Sequence, residues 1–234
     1  QPLKLHATKY LPDLEGKVWD DPHNPGTEVD VEIKRMFKRE KLDIKIIKRE
    51  SEGDTKFELF QRLNTGGSKL SDQEVRNCML LMLNEDAYSW LKDLSRNKDF
   101  LETTPISEKQ EEECYGQELA LRFFVYRYSD VEVRKYHSDV APYINAEMTR
   151  LFGKNSNFDF DEERKLFEKV FSLFNSSLGD DVFKKYSVEK GKYEGAISLP
   201  VYEALAVSIS DMVSNGDMSD DDIIDLIKEK TKDL

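Results

Sequence analysis

Apolar and polar positions follow a helical period over most of this chain. From residue 54 nearly to the end, apolar side chains recur every three or four positions, as in helices with one buried face. Trp90, Leu91 and Leu94 mark one short helix. Residues 107–128 become almost continuously apolar and predict a central helix. Residues 131–152 predict a long helix that Pro142 kinks or divides.

The strand signals lie near the N-terminus. Residues 1–30 are interrupted by Pro and Gly and predict irregular structure with short extended segments, such as residues 4–10. Residues 42–47 alternate apolar and charged side chains up to residue 46, which is the clearest strand signal. Residues 187–195 predict a loop. We therefore expect an α+β fold that is predominantly α-helical, with a small β remnant in residues 1–53 and a helical bundle in residues 54–234.

The acidic run near the C-terminus has a structural interpretation. Ser219 is a typical N-cap, three aspartates follow it, and lysines end the helix, so the charges complement the helix dipole at both ends. Ser198, with Pro200 in the next turn, predicts the start of the preceding helix in the same way. The acidic run therefore needs no ligand to explain it.

Composition and charge limit the classes of protein to which this chain can belong. The 234 residues carry a net charge of −12, and no apolar run reaches the roughly 18–20 residues of a membrane span. We expect a cytoplasmic protein without a membrane partner. Cys78 and Cys114 lie far apart without metal-ligand spacing and predict reduced, buried thiols. Residues 34–49 are locally basic, which is typical of a solvated face or, alternatively, of contacts to a nucleic-acid backbone.

The chain shows no catalytic motif, and we assign no catalytic or metal-binding residue. The three histidines stand alone, and no P-loop or nucleophile elbow is present. His23 follows two aspartates in the segment Asp-Asp-Pro-His-Asn-Pro-Gly, residues 20–26. A polar turn is the favoured interpretation, and a metal site is the alternative.

The densest local chemistry lies in residues 57–77, FELFQRLNTGGSKLSDQEVRN. Its double glycine permits backbone conformations that a Cβ disfavours, and the next helix opens with a capping box formed by Ser71 and Glu74. Arg62 precedes the turn and Arg76 follows it. Free backbone amides at the start of a helix, with a guanidinium group on either side, are suited to binding an anion. The alternative is a helix–turn–helix corner, in which the glycines are needed only to form the turn. We call residues 62–67 the glycine loop; they include Arg62, Asn64, Thr65, Gly66 and Gly67.

A second charged position lies inside the central apolar helix. Glu118 precedes Arg122 by four residues, the favourable orientation for an intrahelical ion pair. A charge in apolar surroundings needs a partner or a function. A structural ion pair is favoured, and a role in binding phosphate or shaping a site is the alternative.

The segment 57–77 resembles the signature of the N-terminal domain of GmrSD-type, modification-dependent restriction endonucleases. Weaker similarity extends over most of residues 1–213, including residues 118–124 and 143–148. The matching positions are Phe60, Arg62, Asn64, Thr65, Gly66, Gly67, Leu70, Ser71, Glu74 and Arg76. The resemblance implies a ParB/sulfiredoxin-like subdomain, here residues 1–53, followed by a helical domain that carries the glycine loop. It implies cytoplasmic anti-phage defence, with modified phage DNA, a nucleotide and a nuclease domain or subunit as partners.

One family motif is missing from the chain. The Asp-Gly-Gln-Gln-Arg run that the family associates with nucleotide binding and hydrolysis does not occur here, so we expect the chain to lack the family's N-terminal part. The family's NTP-dependent nuclease or NTPase activity is therefore not carried over. A nucleoside triphosphate with Mg²⁺ is implied as a cofactor only for full-length relatives, and none is evident for this chain.

Three functional hypotheses remain. The first is a nucleotide- or DNA-phosphate-binding site formed by the glycine loop with Arg76, supported by Ser71, Glu74, Glu118 and Arg122. The second is a non-catalytic helical module that binds a partner protein or a second copy of the chain through an apolar surface. The third is a DNA-binding protein that contacts DNA through residues 34–49 and whose affinity for DNA falls steeply as the salt concentration rises.

Overall fold

The structure is a computed structural model that describes residues 3–41, 70–129, 140–153, 156–216 and 218–233. The chain divides into two compact units, residues 1–52 and 53–234. The glycine loop, the strand expected at residues 42–47 and the apolar residues 57–63 all lie outside the described residues.

The first unit is built largely from turns in its described part. Short 3-10 helices span Pro12–Leu14 and Pro25–Thr27, and helix α1 spans Val31–Arg39. Asp30 caps α1 by accepting a hydrogen bond from the Glu32 amide. Residues 3–41 contain isolated β-bridges and no continuous strand, so residues 4–10 do not form the extended segment that the sequence predicted. The prolines and glycines that interrupt this segment explain the difference.

The second unit is a bundle of helices in its described part. Its helices are α2 (Asp72–Leu83), α3 (Glu85–Leu94), α4 (Lys98–Thr103), α5 (Glu108–Glu112), α6 (Tyr115–Arg127), α7 (Val140–Phe152), α8 (Phe160–Ser177), α9 (Leu199–Asn215) and α10 (Asp220–Lys230). The prediction of a predominantly α-helical α+β fold is confirmed.

Helix α6 lies at the centre of the bundle. Every residue from Leu119 to Tyr126 is buried, and α6 packs against α2, α3, α5, α7 and α9. A helix that is apolar on all sides is stable only when neighbours surround it. Its Phe124 packs against Trp90 of α3 with ring centroids 5.0 Å apart, and the Trp90 indole donates a hydrogen bond to the Phe160 carbonyl at 3.0 Å. The central helix predicted from residues 107–128 is therefore present, although it begins at Tyr115.

The described sheet lies far from the N-terminus. Strands β1 (Lys185–Ser187) and β2 (Lys192–Glu194) form an antiparallel hairpin in which Tyr186 faces Tyr193 with ring centroids 5.0 Å apart. The prediction of a loop over residues 187–195 was wrong. Gly191 adopts a φ of +62°, which closes the turn, and the tyrosine pair stabilises the two short strands.

The helix ends follow the capping signals. Ser219 accepts a hydrogen bond from the Asp222 amide and caps α10, as predicted. Asp220 also forms an ion pair with Lys169 of α8, so the acidic run has partners within the fold. Ser198 precedes α9 without making a side-chain cap, and Pro200 occupies the first turn.

Candidate functional site

The start of α2 is the described structure that follows the glycine loop in sequence. The Ser71 hydroxyl accepts a hydrogen bond from the Glu74 amide at 3.1 Å, and the Glu74 carboxylate accepts one from the Ser71 amide at 2.7 Å. Both hydrogen bonds of the predicted capping box are therefore present. The Ser71 hydroxyl also donates to the Glu113 carbonyl at 2.8 Å, which ties this helix start to the segment between α5 and α6.

Arg76 lies inside the protein, one turn into α2. Its side chain is 2% exposed, and its guanidinium donates to the Gln73 side chain at 2.9 Å and to the Glu118 carboxylate at 2.8 Å. Gln73 in turn donates to the Asn77 side chain at 3.0 Å. Burial lowers the pKa of Arg76, and the Glu118 charge opposes that shift. A phosphate that reached Arg76 would have to join or displace these partners, so its phosphate-binding role stays a prediction.

Arg122 extends the same cluster to α9. Its guanidinium donates to Glu118 at 2.7 and 2.9 Å and to Glu203 at 2.7 Å. The intrahelical pair predicted between Glu118 and Arg122 is present. We call Arg76, Glu118, Arg122 and Glu203 the charge network. Two arginines and two glutamates balance, and together they join α2, α6 and α9.

Two tyrosines border the charge network and hold their protons strongly. Burial, together with the Glu203 carboxylate, raises the pKa of Tyr126 to about 12. Tyr202 is fully buried, and its hydroxyl donates to the Leu119 carbonyl at 2.7 Å. Burial raises the pKa of Tyr202 well above its usual value. Both side chains are therefore neutral hydrogen-bond donors near pH 7 rather than acids or bases.

Sequence reasoning did not find Glu203. It lies in α9 between Tyr202 and Leu205, which are both buried. A lone carboxylate among buried apolar positions signals an internal cation as its partner, and this signal was available in the sequence. The partner itself lies 81 residues away and could not be assigned from spacing.

The polar turn around His23 uses its carboxylates internally. One Asp21 oxygen accepts hydrogen bonds from the His23 and Asn24 amides, each at 3.1 Å, and the other accepts from the Thr27 hydroxyl at 3.0 Å. Asp20 pairs with Lys34 at 2.9 Å. Within the described ranges, no three side chains of His, Cys, Asp or Glu cluster as a metal site requires. These contacts favour the turn interpretation.

The basic stretch is described only through residue 41. There, Lys34 forms ion pairs with Asp20 and with Glu28, the latter at 2.7 Å, and Arg35 pairs with Glu32 at 2.6 Å. These pairs show two of its cations neutralised locally. Residues 42–49 lie outside the described residues, so the third hypothesis stays a prediction.

No family model, curated protein or solved structure matches this chain. The similarity to the GmrSD-type signature therefore remains an expectation based on the residues quoted above. None of the helices in the described part of the chain is both long enough and apolar enough to cross a membrane.

Proposed function

We propose that this chain is part of a prokaryotic modification-dependent restriction system, where its glycine loop helps to bind the phosphates of a nucleotide or of DNA. Arg62 neutralises the phosphate, and the amides of Gly66 and Gly67 donate to it. Asn64 and Thr65 belong to the same proposed phosphate-binding set. We propose binding and not hydrolysis for residues 1–234, which contain no Asp-Gly-Gln-Gln-Arg run.

The observation that supports this proposal is the anchoring of the helix that follows the loop. The capping box fixes the first turn of α2, and the Ser71 hydroxyl bonds the Glu113 carbonyl at 2.8 Å. Further along α2, Arg76 is held by Glu118. A binding loop needs such a rigid neighbour because each ångström of freedom costs affinity. In this scheme Ser71, Glu74 and Glu118 act as supports.

In this proposal the glycine loop makes the main phosphate contact, and Arg76 is a secondary phosphate contact. Arg76 and Arg122 are both buried, and each has a carboxylate within 2.8 Å. Neutralised cations attract a phosphate weakly compared with an unpaired one. We expect the loss of Arg62, which precedes the turn in the sequence, to weaken phosphate binding most.

The test measures the affinity for phosphate-containing ligands of a protein in which this chain follows the family's Asp-Gly-Gln-Gln-Arg segment. Binding of nucleoside triphosphates with Mg²⁺ and of plain and modified duplex DNA would be measured for wild type, Arg62→Ala and Lys165→Ala. Lys165 is exposed and serves as the matched control. Arg62→Ala is expected to weaken binding about tenfold or more, as for loss of a charge-assisted hydrogen bond. Equal affinity of Arg62→Ala and wild type would show that the assigned role is wrong.

A protein-interaction module is the second candidate, favoured by an apolar cleft between α9 and α10. The cleft has a volume of about 290 Å³ and is lined by Leu205, Ile209, Met212, Leu226 and Ile227, among others. Such a groove suits an apolar helix of a second copy of this chain. Sedimentation of wild type and Met212→Lys over a range of concentrations tests this candidate. A wild-type chain that stays monomeric would contradict self-association.

A further inference from the structure

A separate polar cleft lies among α3, α4 and the start of α6. It has a volume of about 570 Å³, within the range of small-molecule sites. Tyr88, Lys92 and Arg96 are spaced four residues apart, so they line one wall along α3 and its end. Leu101 and Ile106 contribute apolar side chains to the lining. None of the described residues that line the cleft belongs to the glycine loop or to the charge network.

Lys92 and Arg96 carry positive charges that form no ion pair with a carboxylate among the described residues. Lys184 and Arg127 are partly buried, as Lys92 is, yet they contact carboxylates at 2.8 and 3.2 Å. The Lys92 ammonium lies 5.8 Å from the centroid of the Tyr88 ring. Because the ring is uncharged, this contact leaves the charge of Lys92 uncompensated and leaves N–H donors free for a ligand.

The charges of the lining favour an anion with several acceptor atoms. Glu111 is the one carboxylate among the described lining residues, and its side chain is exposed. Two cations against one carboxylate leave a net positive charge in the cleft. Lys92 and Arg96 are four residues apart, so a group that accepts from both needs well-spaced oxygens. A phosphate monoester offers three terminal oxygens, whereas a carboxylate offers two.

The apolar side of the cleft favours an organic group on that anion. Leu101 is 49% exposed and Ile106 is partly buried, and both line the cleft. A free phosphate ion would leave these side chains in contact with water. An apolar group attached to the phosphate would cover them, and the removal of apolar surface from water would strengthen binding.

Gly116 leaves open space beside Ile106. It is the second residue of α6, it lines the cleft, and it is not among the glycines with a positive φ. A Cβ at this position would lie 3.7 Å from the Ile106 Cδ1 atom, which is an ordinary van der Waals distance. Alanine is therefore compatible with the fold here, and it favours a helix more than glycine does. The backbone does not require a glycine at this position, and the space that Gly116 leaves lies next to the apolar lining.

We propose that this cleft binds a small phosphate monoester with an apolar organic group, such as an aryl ring. The phosphate contacts Lys92 and Arg96. The organic group lies against Leu101 and Ile106, in the space beside Gly116. This inference is independent of the function proposed for the glycine loop, because other residues carry it.

Phenyl phosphate is the probe, and inorganic phosphate and benzoate are its matched controls. Inorganic phosphate lacks the ring, and benzoate carries the ring on a carboxylate. Isothermal titration calorimetry on the full 234-residue chain is expected to give saturable binding of phenyl phosphate. Each control is expected to bind about tenfold or more weakly, because inorganic phosphate buries no apolar surface and benzoate offers fewer acceptor oxygens and less charge.

Variants assign the binding to this cleft. Lys92→Ala and Arg96→Ala are each expected to lower the affinity for phenyl phosphate about tenfold. Gly116→Ala is expected to lower it by about the same factor, because the added methyl group occupies the space of the ring, and to keep or raise thermal stability. Lys98→Ala, which removes an exposed lysine of α4 outside the cleft, is expected to leave the affinity unchanged. Weaker binding in a stable variant distinguishes a ligand contact from a structural role.

Three results would overturn the inference. The first is no saturable binding of phenyl phosphate, and the second is equal affinity for phenyl phosphate and either control. The third is binding that Lys92→Ala and Gly116→Ala both leave unchanged. Arg62→Ala is expected to leave phenyl phosphate bound, so a failure of the loop function is measured separately from a failure of the cleft.

Discussion

Replacing Glu118 by glutamine tests whether the charge network holds the helical unit together. Glu118 accepts hydrogen bonds from Arg76 and Arg122, whose side chains are 2% and 10% exposed. Without its charge, Arg122 keeps the Glu203 carboxylate at 2.7 Å, but Arg76 keeps only the neutral Gln73 side chain at 2.9 Å. The buried Arg76 guanidinium thus loses the carboxylate that it contacts, and only the Asp72 charge, which makes no ion-pair contact with it, remains.

The expected decrease in the free energy of unfolding follows from the loss of the Arg76–Glu118 ion pair. Breaking a buried ion pair by removing one partner costs about 3–5 kcal/mol. Because one of the two guanidinium groups stays paired, and because glutamine still offers one acceptor, we expect Glu118→Gln to cost about 3 kcal/mol, the lower end of that range. Glu168→Gln is the matched control, since the Arg164–Glu168 pair is 3.9 Å long and its side chains are 34% and 46% exposed. Its cost is expected to be at most about 1 kcal/mol.

Urea unfolding followed by far-UV circular dichroism measures both costs. A double-mutant cycle of Glu118→Gln with Arg76→Gln separates the pairwise coupling from the effect of either change alone. The coupling is expected to exceed about 1 kcal/mol. If Glu118→Gln costs no more than Glu168→Gln, or if the cycle shows no coupling, the network does not stabilise the unit and the reasoning fails.

Three further predictions concern neighbouring positions. Tyr126→Phe is expected to reduce the loss of stability at alkaline pH. The pKa of Tyr126 is about 12 in the folded protein and about 10 in the unfolded chain. The stabilisation that this difference provides is complete below pH 10 and is lost as the pH rises through 12. That loss amounts to at most about 2.7 kcal/mol, measured as the difference between wild-type and variant unfolding free energies at each pH. Cys114→Gly is expected to be more stable than Cys114→Ala by about 1 kcal/mol, because glycine adopts the positive φ without strain; equal thermal midpoints would contradict this. Ser71→Ala is expected to cost about 1–2 kcal/mol in urea unfolding, since the cap and the bond to the Glu113 carbonyl are both lost, whereas Ser71→Thr should restore most of it.

The structural features that were predicted correctly from the sequence are mostly local ones. The burial of Trp90, Leu91 and Leu94, the Ser71–Glu74 capping box and the Glu118–Arg122 pair all depend on residues within one or two helical turns. Such contacts follow from helical periodicity alone. The sequence therefore predicts α3, the start of α2 and the centre of α6 better than it predicts what these helices contact.

The missed features depend on contacts between distant segments. The Arg76–Glu118 bond joins residues 42 positions apart, and the Arg122–Glu203 bond joins residues 81 apart. No spacing rule selects those partners, because tertiary packing decides them. The hairpin at residues 185–194 was missed for another reason: its strands are only three residues long, too short for an alternating pattern to show.

Pairing separates four basic residues of the helical unit, Arg76, Arg122, Lys92 and Arg96, into two groups with different roles. Arg76 and Arg122 are buried, and carboxylates balance them, so their charges are used within the fold and give a ligand little attraction. Lys92 and Arg96 line an open cleft among α3, α4 and the start of α6, where they have no carboxylate partner among the described residues, and Lys92 lies over the Tyr88 ring at 5.8 Å from its centroid. In sequence all four are basic residues within or just beyond helices. The difference arises because α2 and α6 place Glu118 between the two arginines, whereas α3 turns Lys92 and Arg96 toward a surface where only Glu111 lines the same cleft. Among these four residues, ligand attraction is therefore expected at the cleft rather than at the charge network, and salt should weaken binding there while leaving the buried pairs nearly unaffected.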